Sequence, residues 1–106
     1  MTSTTPDPQT SAPDGGPETP PPDAVEVYWR PGCPFCSRLL QALDKAGVHT
    51  RLHNIWEDEE ARRFVRAHNN GDETVPTVAV GQLVATNPDP AALVTELRSA
   101  HAHLVG

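Results

Sequence analysis

The first 23 residues contain no Val, Ile, Leu, Phe, Tyr or Trp, so a hydrophobic core can come only from residues 24–106. This stretch holds seven of the chain's twelve prolines and four acidic residues, but no Lys or Arg. It cannot bury enough apolar surface to offset the entropy lost on ordering it. We therefore predict a disordered, Pro-rich acidic tail over residues 1–23 and a single folded domain over residues 24–106.

The charge of the folded segment limits its partners. Residues 24–106 contain ten acidic and eight basic residues, a near-balance that gives no support for nucleic-acid binding. The sequence has neither the apolar run of about 20 residues needed for a transmembrane helix nor the basic start of a signal peptide. We therefore expect a cytoplasmic monomer that binds neither nucleic acid nor membranes.

Apolar residues in this segment recur first at strand spacing and then at helix spacing. Right-handed crossovers through helices join parallel strands, and a hairpin adds an antiparallel edge. The order βαβαββα therefore predicts an α/β fold with a four-stranded mixed sheet flanked by three helices. The predicted strands are 24–29, 48–55, 77–80 and 83–85, and the first two predicted helices are 34–47 and 58–69. A last helix is predicted to be capped by Asn87 and to bury Leu93, Leu97, Ala100 and Leu104.

The residues after the second predicted strand have a structural interpretation. Trp29 and Trp56 could line a substrate surface, but we expect Trp56, just after the second strand, to cover the edge of the core. The acidic residues 57–60 fit the first turn of a helix, where the dipole favours negative charge, better than they fit a metal site.

The chain's two cysteines, Cys33 and Cys36, lie where the first strand runs into the first helix. Unpaired N–H groups and a partial positive charge at a helix N-terminus favour ionisation of a thiol, and the thiolate is the reactive form. Cys33, close to Arg30, is therefore the predicted nucleophile. Cys36, one turn further along, is the predicted resolving thiol, and Phe35 is expected to offer an apolar surface to a disulfide-bearing ligand.

A C-x-x-C pair can also be half of a zinc site. No second pair completes such a site here, and the five histidines do not match zinc-finger spacing. Because a C-x-x-C pair near a βαβ pattern is typical of redox sites, we predict a dithiol redox site with no bound metal.

Thr74-Val75-Pro76 opens the third predicted strand. Pro76 is compatible with a plain strand start, because proline donates no hydrogen bond to the ladder there. It is also compatible with a cis peptide bond that turns the Val75 backbone toward the thiols, where it could pair with a peptide-like substrate. The residues alone leave both interpretations open.

The run YWRPGCPFC at residues 28–36, followed about forty residues later by Thr74-Val75-Pro76, resembles the glutaredoxins over residues 24–100. The resemblance implies a thioredoxin-like fold, a cis bond at Pro76 and a low-molecular-weight thiol as co-substrate, with no bound cofactor. Arg30 stands where glutaredoxins usually carry a Lys that binds the carboxylate of that thiol.

One segment departs from most glutaredoxins. They follow the hairpin with a Gly-Gly pair and acidic residues that bind glutathione, whereas this chain reads ATNPD at residues 85–89. Together with Thr74-Val75-Pro76, the Thr86-Asn87-Pro88 segment looks like the mycoredoxins. That resemblance implies mycothiol in place of glutathione as the co-substrate, with Asn87 and Asp89 as candidate contacts. Asp89 could equally stabilise the N-terminus of the last helix.

These features predict a thiol–disulfide oxidoreductase that reduces mixed disulfides between protein thiols and a low-molecular-weight thiol. One alternative is a thioredoxin-like electron donor that a flavin reductase recycles directly, as for donors to ribonucleotide reductase. Another is a module that binds an iron–sulfur cluster or zinc. Pro34 argues against a cluster, because C-P-x-C glutaredoxins seldom hold one.

Overall fold

The computed structural model describes residues 22–106, so all but the last two residues of the predicted tail lie outside the described residues. The element order is βαβαββα, as predicted, and a 3-10 helix, Ala102–Leu104, follows the last helix. The elements are β1 (Val25–Trp29), α1 (Pro34–Lys45), β2 (Thr50–Asn54), α2 (Glu59–His68), β3 (Thr77–Val80), β4 (Leu83–Thr86) and α3 (Pro90–Ala100).

The four strands form one mixed sheet in the order β2-β1-β3-β4. β1 and β2 are parallel, with Val25 opposite Thr50, whereas β3 is antiparallel to both β1 and β4. The predicted four-stranded mixed sheet is confirmed. Because β1 and β2 are parallel, their carboxyl ends lie at one edge of the sheet, and the helices that follow them begin there.

Alternation along β1 assigns the helices to two faces of the sheet. Val25 and Val27 are fully buried in the main core with residues of α1 and α3. Tyr28 points to the opposite face, where its ring stacks on Phe64 of α2 with a centroid separation of 4.6 Å. The main core consists of Val25, Val27, Leu39, Leu43, Val48, Val78, Val80, Leu93, Val94, Leu97 and Leu104.

A second cluster joins the two thiols to the α2 side of the molecule. Cys33 and Cys36 are buried with Ile55 and Val75, and the cluster also contains Ala61 and Val65 of α2. The site of the thiols is therefore part of the packed interior.

Most predicted bounds differ from the structure by one or two residues, and the differences at β2 and at the end of α3 change which elements supply the core. β2 is shorter than predicted, because Val48 and Ile55 are buried by packing without belonging to the strand. At the other end of the chain, α3 stops at Ala100, which is exposed, and Leu104 reaches the core from the 3-10 helix. Burial therefore extends beyond the hydrogen-bonded elements.

The longest helix within residues 22–106 is α1, with 12 residues. None of the helices in this part of the chain has the length and apolar character to cross a membrane.

Candidate active site at the N-terminus of α1

Cys33 is the N-cap residue of α1. Its backbone is extended, with φ −105° and ψ 106°, and its Sγ accepts a hydrogen bond from the backbone N–H of Cys36 at 3.2 Å. Pro34 occupies the first turn, where the missing N–H costs little. Gly32 precedes the cap with φ +74°, a conformation that glycine adopts without strain. The sequence thus places a sulfur atom where a helix N-terminus offers an unpaired donor.

Cys36 lies one turn further into α1 and is less exposed than Cys33, at 2% against 5%. Both cysteines are free thiols. Burial raises the pKa of Cys36 to about 11, and its hydrogen bond with Cys33 acts in the same direction. The backbone and positive charge of Arg30 oppose this increase without cancelling it. Cys36 is therefore a neutral thiol at pH 7.

The Arg30 side chain lies beside the loop that follows β2. Its Nη1 donates a hydrogen bond to the Pro31 carbonyl at 3.1 Å, and its guanidinium carbon lies 5.9 Å from the ring centroid of Trp56. Trp56 is 55% exposed, so the expectation that it covers the edge of the core is wrong. The indole instead presents an exposed surface that is partnered by a guanidinium group.

Phe35 forms a second pair of the same kind on α1. Its side chain is 52% exposed, and the guanidinium carbon of Arg38 lies 5.7 Å from its ring centroid. Within residues 22–106, neither Arg30 nor Arg38 is in an ion pair. The exposed surface around the thiols therefore combines aromatic area with positive charge.

The Thr74-Val75-Pro76 segment reaches the thiols from the start of β3. The Val75–Pro76 peptide bond is cis, as the resemblance implies. The Cys33 thiol approaches the Val75 carbonyl oxygen at 3.9 Å, the distance of a weak S–H···O contact. Val75 and Pro76 are buried, whereas Thr74 is exposed. Backbone groups of this segment are thus brought next to the predicted nucleophile.

The predicted cap of the last helix is wrong. Asn87 has φ +48°, and its backbone N–H donates to the Pro76 carbonyl at 2.7 Å. The N-cap of α3 is Asp89, whose Oδ2 accepts from the Ala92 N–H at 3.0 Å. The two candidate contacts of the small thiol are therefore placed differently, since Asn87 adjoins the Thr74-Val75-Pro76 segment and Asp89 caps a helix.

Two residues near this site were absent from the sequence-based prediction. Arg38 follows Phe35 by three positions, and that helical spacing was sufficient to indicate their contact. Asn69 hydrogen-bonds to Thr77 and Thr86 on two strands, at 3.4 and 2.7 Å. Its contacts depend on how α2 packs beside the β3–β4 hairpin, for which the local sequence carries no signal.

The part of the chain from residue 22 to residue 106 contains no group of three or more His, Cys, Asp or Glu side chains arranged to hold a metal ion. The acidic residues after β2 have another role in the structure. Asp58 caps α2 by accepting from the N–H groups of Glu60 and Ala61, at 3.0 and 3.2 Å. This agrees with the prediction that the acidic run favours a helix start.

Solved structures with similar folds include two glutaredoxins. The glutaredoxin of Brucella melitensis superimposes with a TM-score of 0.59 at 26% identity, covering 84% of this chain and 94% of that one. The glutaredoxin of Archaeoglobus fulgidus gives a TM-score of 0.57 at 27% identity, covering 70% of this chain and 85% of that one. The predicted thioredoxin-like fold is confirmed.

Sequence comparison gives the same family. Residues 25–84 match the glutaredoxin family model. Mycoredoxin 1 of Corynebacterium glutamicum is 36% identical over 76 residues, which cover 71% of this chain and 94% of that protein. Proteins of this family act on thiols and mixed disulfides with a thiol co-substrate. The chain therefore belongs to the glutaredoxin family and is a glutaredoxin-type disulfide oxidoreductase.

Proposed function

We propose that this protein reduces mixed disulfides between protein thiols and mycothiol in the cytoplasm, as a monomer, with Cys33 as the nucleophile. The observation that carries the proposal is the contrast between the two sulfur atoms. Cys33 Sγ receives a backbone N–H at the N-terminus of α1, while burial keeps the Cys36 thiol protonated at pH 7. Only the thiolate attacks a disulfide, so the environment favours attack by Cys33.

The first step transfers the small thiol to the enzyme. The Cys33 thiolate attacks the small-thiol sulfur of the mixed disulfide, the original S–S bond breaks, and the target protein leaves as a thiolate that takes a proton from water. Cys33 is then joined to the small thiol by a new S–S bond. No net oxidation occurs in this exchange, because one disulfide replaces another.

A second exchange regenerates Cys33 by one of two routes. In the monothiol route, a second small thiol attacks as a thiolate, which releases the oxidised small-thiol dimer and the Cys33 thiolate. In the dithiol route, Cys36 loses its proton and attacks Cys33, which releases the small thiol and leaves an intramolecular disulfide for an external thiol to reduce. The high pKa of Cys36 disfavours this second route at pH 7.

Residues around Cys33 supply the proposed substrate contacts. The backbone of Val75, between Thr74 and Pro76, pairs with the peptide-like part of the mixed disulfide. Arg30 binds polar groups of the small thiol, and Phe35 offers it an apolar surface. Asn87 and Asp89 complete the proposed contacts from the segment that follows β4.

Two observations support mycothiol over glutathione. Mycoredoxin 1 matches this chain along 94% of its own length. In addition, residues 86–88 read Thr-Asn-Pro where most glutaredoxins have a Gly-Gly pair. The Asn87 N–H is already bonded to the Pro76 carbonyl, so this segment has a defined geometry next to the site.

The test is steady-state turnover of one protein substrate prepared as a mycothiol mixed disulfide and as a glutathione mixed disulfide. Each reaction is supplied with the matching small thiol and its reductase, and a third reaction contains thioredoxin reductase alone. We expect the mycothiol pair to give the highest kcat/KM. Equal turnover with glutathione would contradict the choice of small thiol, and recycling by thioredoxin reductase alone would favour the electron-donor alternative.

Cysteine variants test the assignment of the nucleophile in the same reaction. Cys33→Ser should abolish turnover, because serine cannot form the mixed disulfide. Cys36→Ser should keep most of the activity if the monothiol route operates. Full activity of Cys33→Ser would refute the mechanism, and loss of activity in Cys36→Ser alone would establish the dithiol route.

A further inference from the structure

Asn69, the C-cap residue of α2, links the helix to both strands of the β3–β4 hairpin. Its Nδ2 donates to the Val65 carbonyl at 2.8 Å and lies 3.4 Å from the Thr77 hydroxyl, while its Oδ1 accepts from the Thr86 hydroxyl at 2.7 Å. The Val65 carbonyl can only accept, which fixes the orientation of the amide. One side chain therefore bridges three elements in a defined orientation.

The two threonines that Asn69 contacts are direct partners across the hairpin, Thr77 on β3 and Thr86 on β4. Thr77 is fully buried, and its hydroxyl donates to the Thr74 carbonyl at 2.9 Å. Buried hydroxyl groups require such partners. The amide of Asn69 is thus connected through Thr77 to the first residue of the Thr74-Val75-Pro76 segment.

The other end of that segment is also tied to the hairpin. The N–H of Asn87, the residue after Thr86, donates to the Pro76 carbonyl at 2.7 Å. Val75 therefore lies between two residues whose carbonyl groups are both held, and its own carbonyl oxygen lies 3.9 Å from Cys33 Sγ. The Thr74 carbonyl is bonded by Thr77, which contacts Asn69. The Pro76 carbonyl is bonded by the residue that follows Thr86, and Thr86 also contacts Asn69.

We propose that Asn69 is a positioning residue that holds the Val75 backbone at the correct distance from Cys33 to receive substrate. Asn69 touches no substrate in this account and acts through Thr77 and Thr86. The inference rests on the proposed function, in which the Val75 backbone binds the peptide-like part of the mixed disulfide. It adds that the geometry of this backbone is set by one amide at the C-terminus of α2.

Three substitutions test this role, each with a defined physical effect. Asn69→Asp replaces the donor with an oxygen that faces the Val65 carbonyl, so the bonds to Val65 and Thr77 are lost. Thr86→Val removes one hydroxyl at nearly constant volume, and Thr86→Ser restores it. Thr50→Val on β2 is the matched control, because Thr50 is an exposed strand threonine with no side-chain hydrogen bond within residues 22–106.

The kinetic measurement separates positioning from a general effect on stability. We expect Asn69→Asp and Thr86→Val to raise the KM for the mixed disulfide about tenfold, the factor that corresponds to one lost hydrogen bond, with little change in kcat. Thr86→Ser and Thr50→Val should match the wild type. Unchanged KM in folded Asn69→Asp and Thr86→Val proteins would overturn the proposal, as would equal effects of Thr86→Val and Thr86→Ser.

A measurement without substrate keeps this result distinct from the proposed function. Hydrogen exchange of the Asn87 N–H reports whether the Pro76 carbonyl is still held. Thr86→Val should accelerate this exchange about tenfold relative to wild type and Thr86→Ser, and no acceleration would refute the network itself. If the wild type turns over no mixed disulfide, the proposed function fails while the exchange result still decides the structural claim. If Asn69→Asp does not fold, the KM and the Asn87 N–H exchange rate of Thr86→Val are sufficient to test the proposal.

Discussion

At the scale of single residues, the two thiols of one short motif differ because one begins α1 and the other lies inside it. Cys33 caps the helix and receives a backbone N–H, whereas Cys36 is enclosed by apolar neighbours that include Ile55 and Val75. Burial disfavours the charged form of a thiol, so the pKa of Cys36 rises to about 11. Sequence spacing predicted that Cys36 is less exposed than Cys33. The size of the pKa increase depends on apolar packing by α2 and by Ile55 and Val75, which come from distant parts of the sequence.

The alkylation of Cys36 should show this raised pKa directly. In a Cys33→Ser variant, the rate of reaction with iodoacetamide should be low at pH 7 and should increase about tenfold per pH unit, because the thiolate fraction increases by that factor below the pKa. Removing Cys33 also removes its hydrogen bond and its charge, which both raise the pKa of Cys36, so the plateau should begin somewhat below pH 11. A plateau near pH 8.5, about the value for an ordinary thiol, would contradict the burial argument.

Asp89 should affect stability through its capping bond to the Ala92 N–H. Asp89→Ala should lower the free energy of unfolding by about 1 kcal/mol, whereas Asp89→Asn should preserve it, because asparagine caps helices about as well. Urea unfolding measures both variants. An Asp89→Ala protein as stable as the wild type would show that the cap is unimportant, and lost turnover in a fully stable Asp89→Asn protein would identify an additional substrate contact.

At the scale of elements, β1 and β2 are joined by side-chain hydrogen bonds as well as by the backbone hydrogen bonds of the sheet. Glu26 lies opposite Arg51 in the register and accepts hydrogen bonds from its Nε and Nη2. Its Oε1 also lies 2.7 Å from Nε2 of His53. The hydrogen bond from Arg51 is the main cause that lowers the pKa of Glu26.

The lowered pKa of Glu26 determines how the stability contributed by the Glu26–Arg51 pair depends on pH. A carboxylate with a lower pKa in the folded state contributes stability above its unfolded pKa of about 4.3 and loses that contribution as the pH falls through the folded value. Glu26→Gln should therefore cost about 1 kcal/mol at pH 7, and the difference from wild type should shrink below pH 4. Denaturant unfolding at several pH values measures it. A difference that persists unchanged at pH 3 would show that the charge of Glu26 is not responsible.

The elements also show how far sequence patterns reach. The bounds of β3 were predicted correctly, because a short apolar run lies between a proline and a tight turn. The start of α3 was not, because Asn87-Pro88 and Asp89-Pro90 both satisfy the rule of a cap followed by proline. A tertiary contact decides between the two caps. The Asn87 N–H donates to the Pro76 carbonyl, and the Asn87 backbone has a positive φ instead of the extended conformation of an N-cap residue.

At the scale of the whole molecule, the candidate site is assembled from segments that are distant in sequence. The start of α1 carries both thiols, the loop after β2 presents Trp56, and the Thr74-Val75-Pro76 segment arrives from the start of β3. Sequence motifs identified the first and third segments, because their chemistry is local. The sequence left Trp56 between a core edge and a substrate surface, and it gave no signal for the bridging role of Asn69, since both depend on packing between elements.

The predicted division into a tail and a domain can be tested by truncation. All of the described core residues lie between Ala24 and Leu104. Residues 1–21 contain none of the large aliphatic or aromatic side chains that build a core, and three acidic residues are their only charged side chains. A chain that begins at Pro22 should therefore unfold at the same urea concentration as the full chain. A loss of about 1 kcal/mol or more would contradict the proposed boundary.

The proposed mechanism depends on Cys33, and not Cys36, being the attacking sulfur at neutral pH. The most direct measurement treats the reduced wild-type protein with less than one equivalent of iodoacetamide at pH 7, followed by mass spectrometry of peptides that separate the two cysteines. We predict modification almost entirely at Cys33, because burial raises the pKa of Cys36 to about 11 and leaves its thiol protonated at pH 7. Equal labelling of both cysteines, or faster labelling of Cys36, would contradict it.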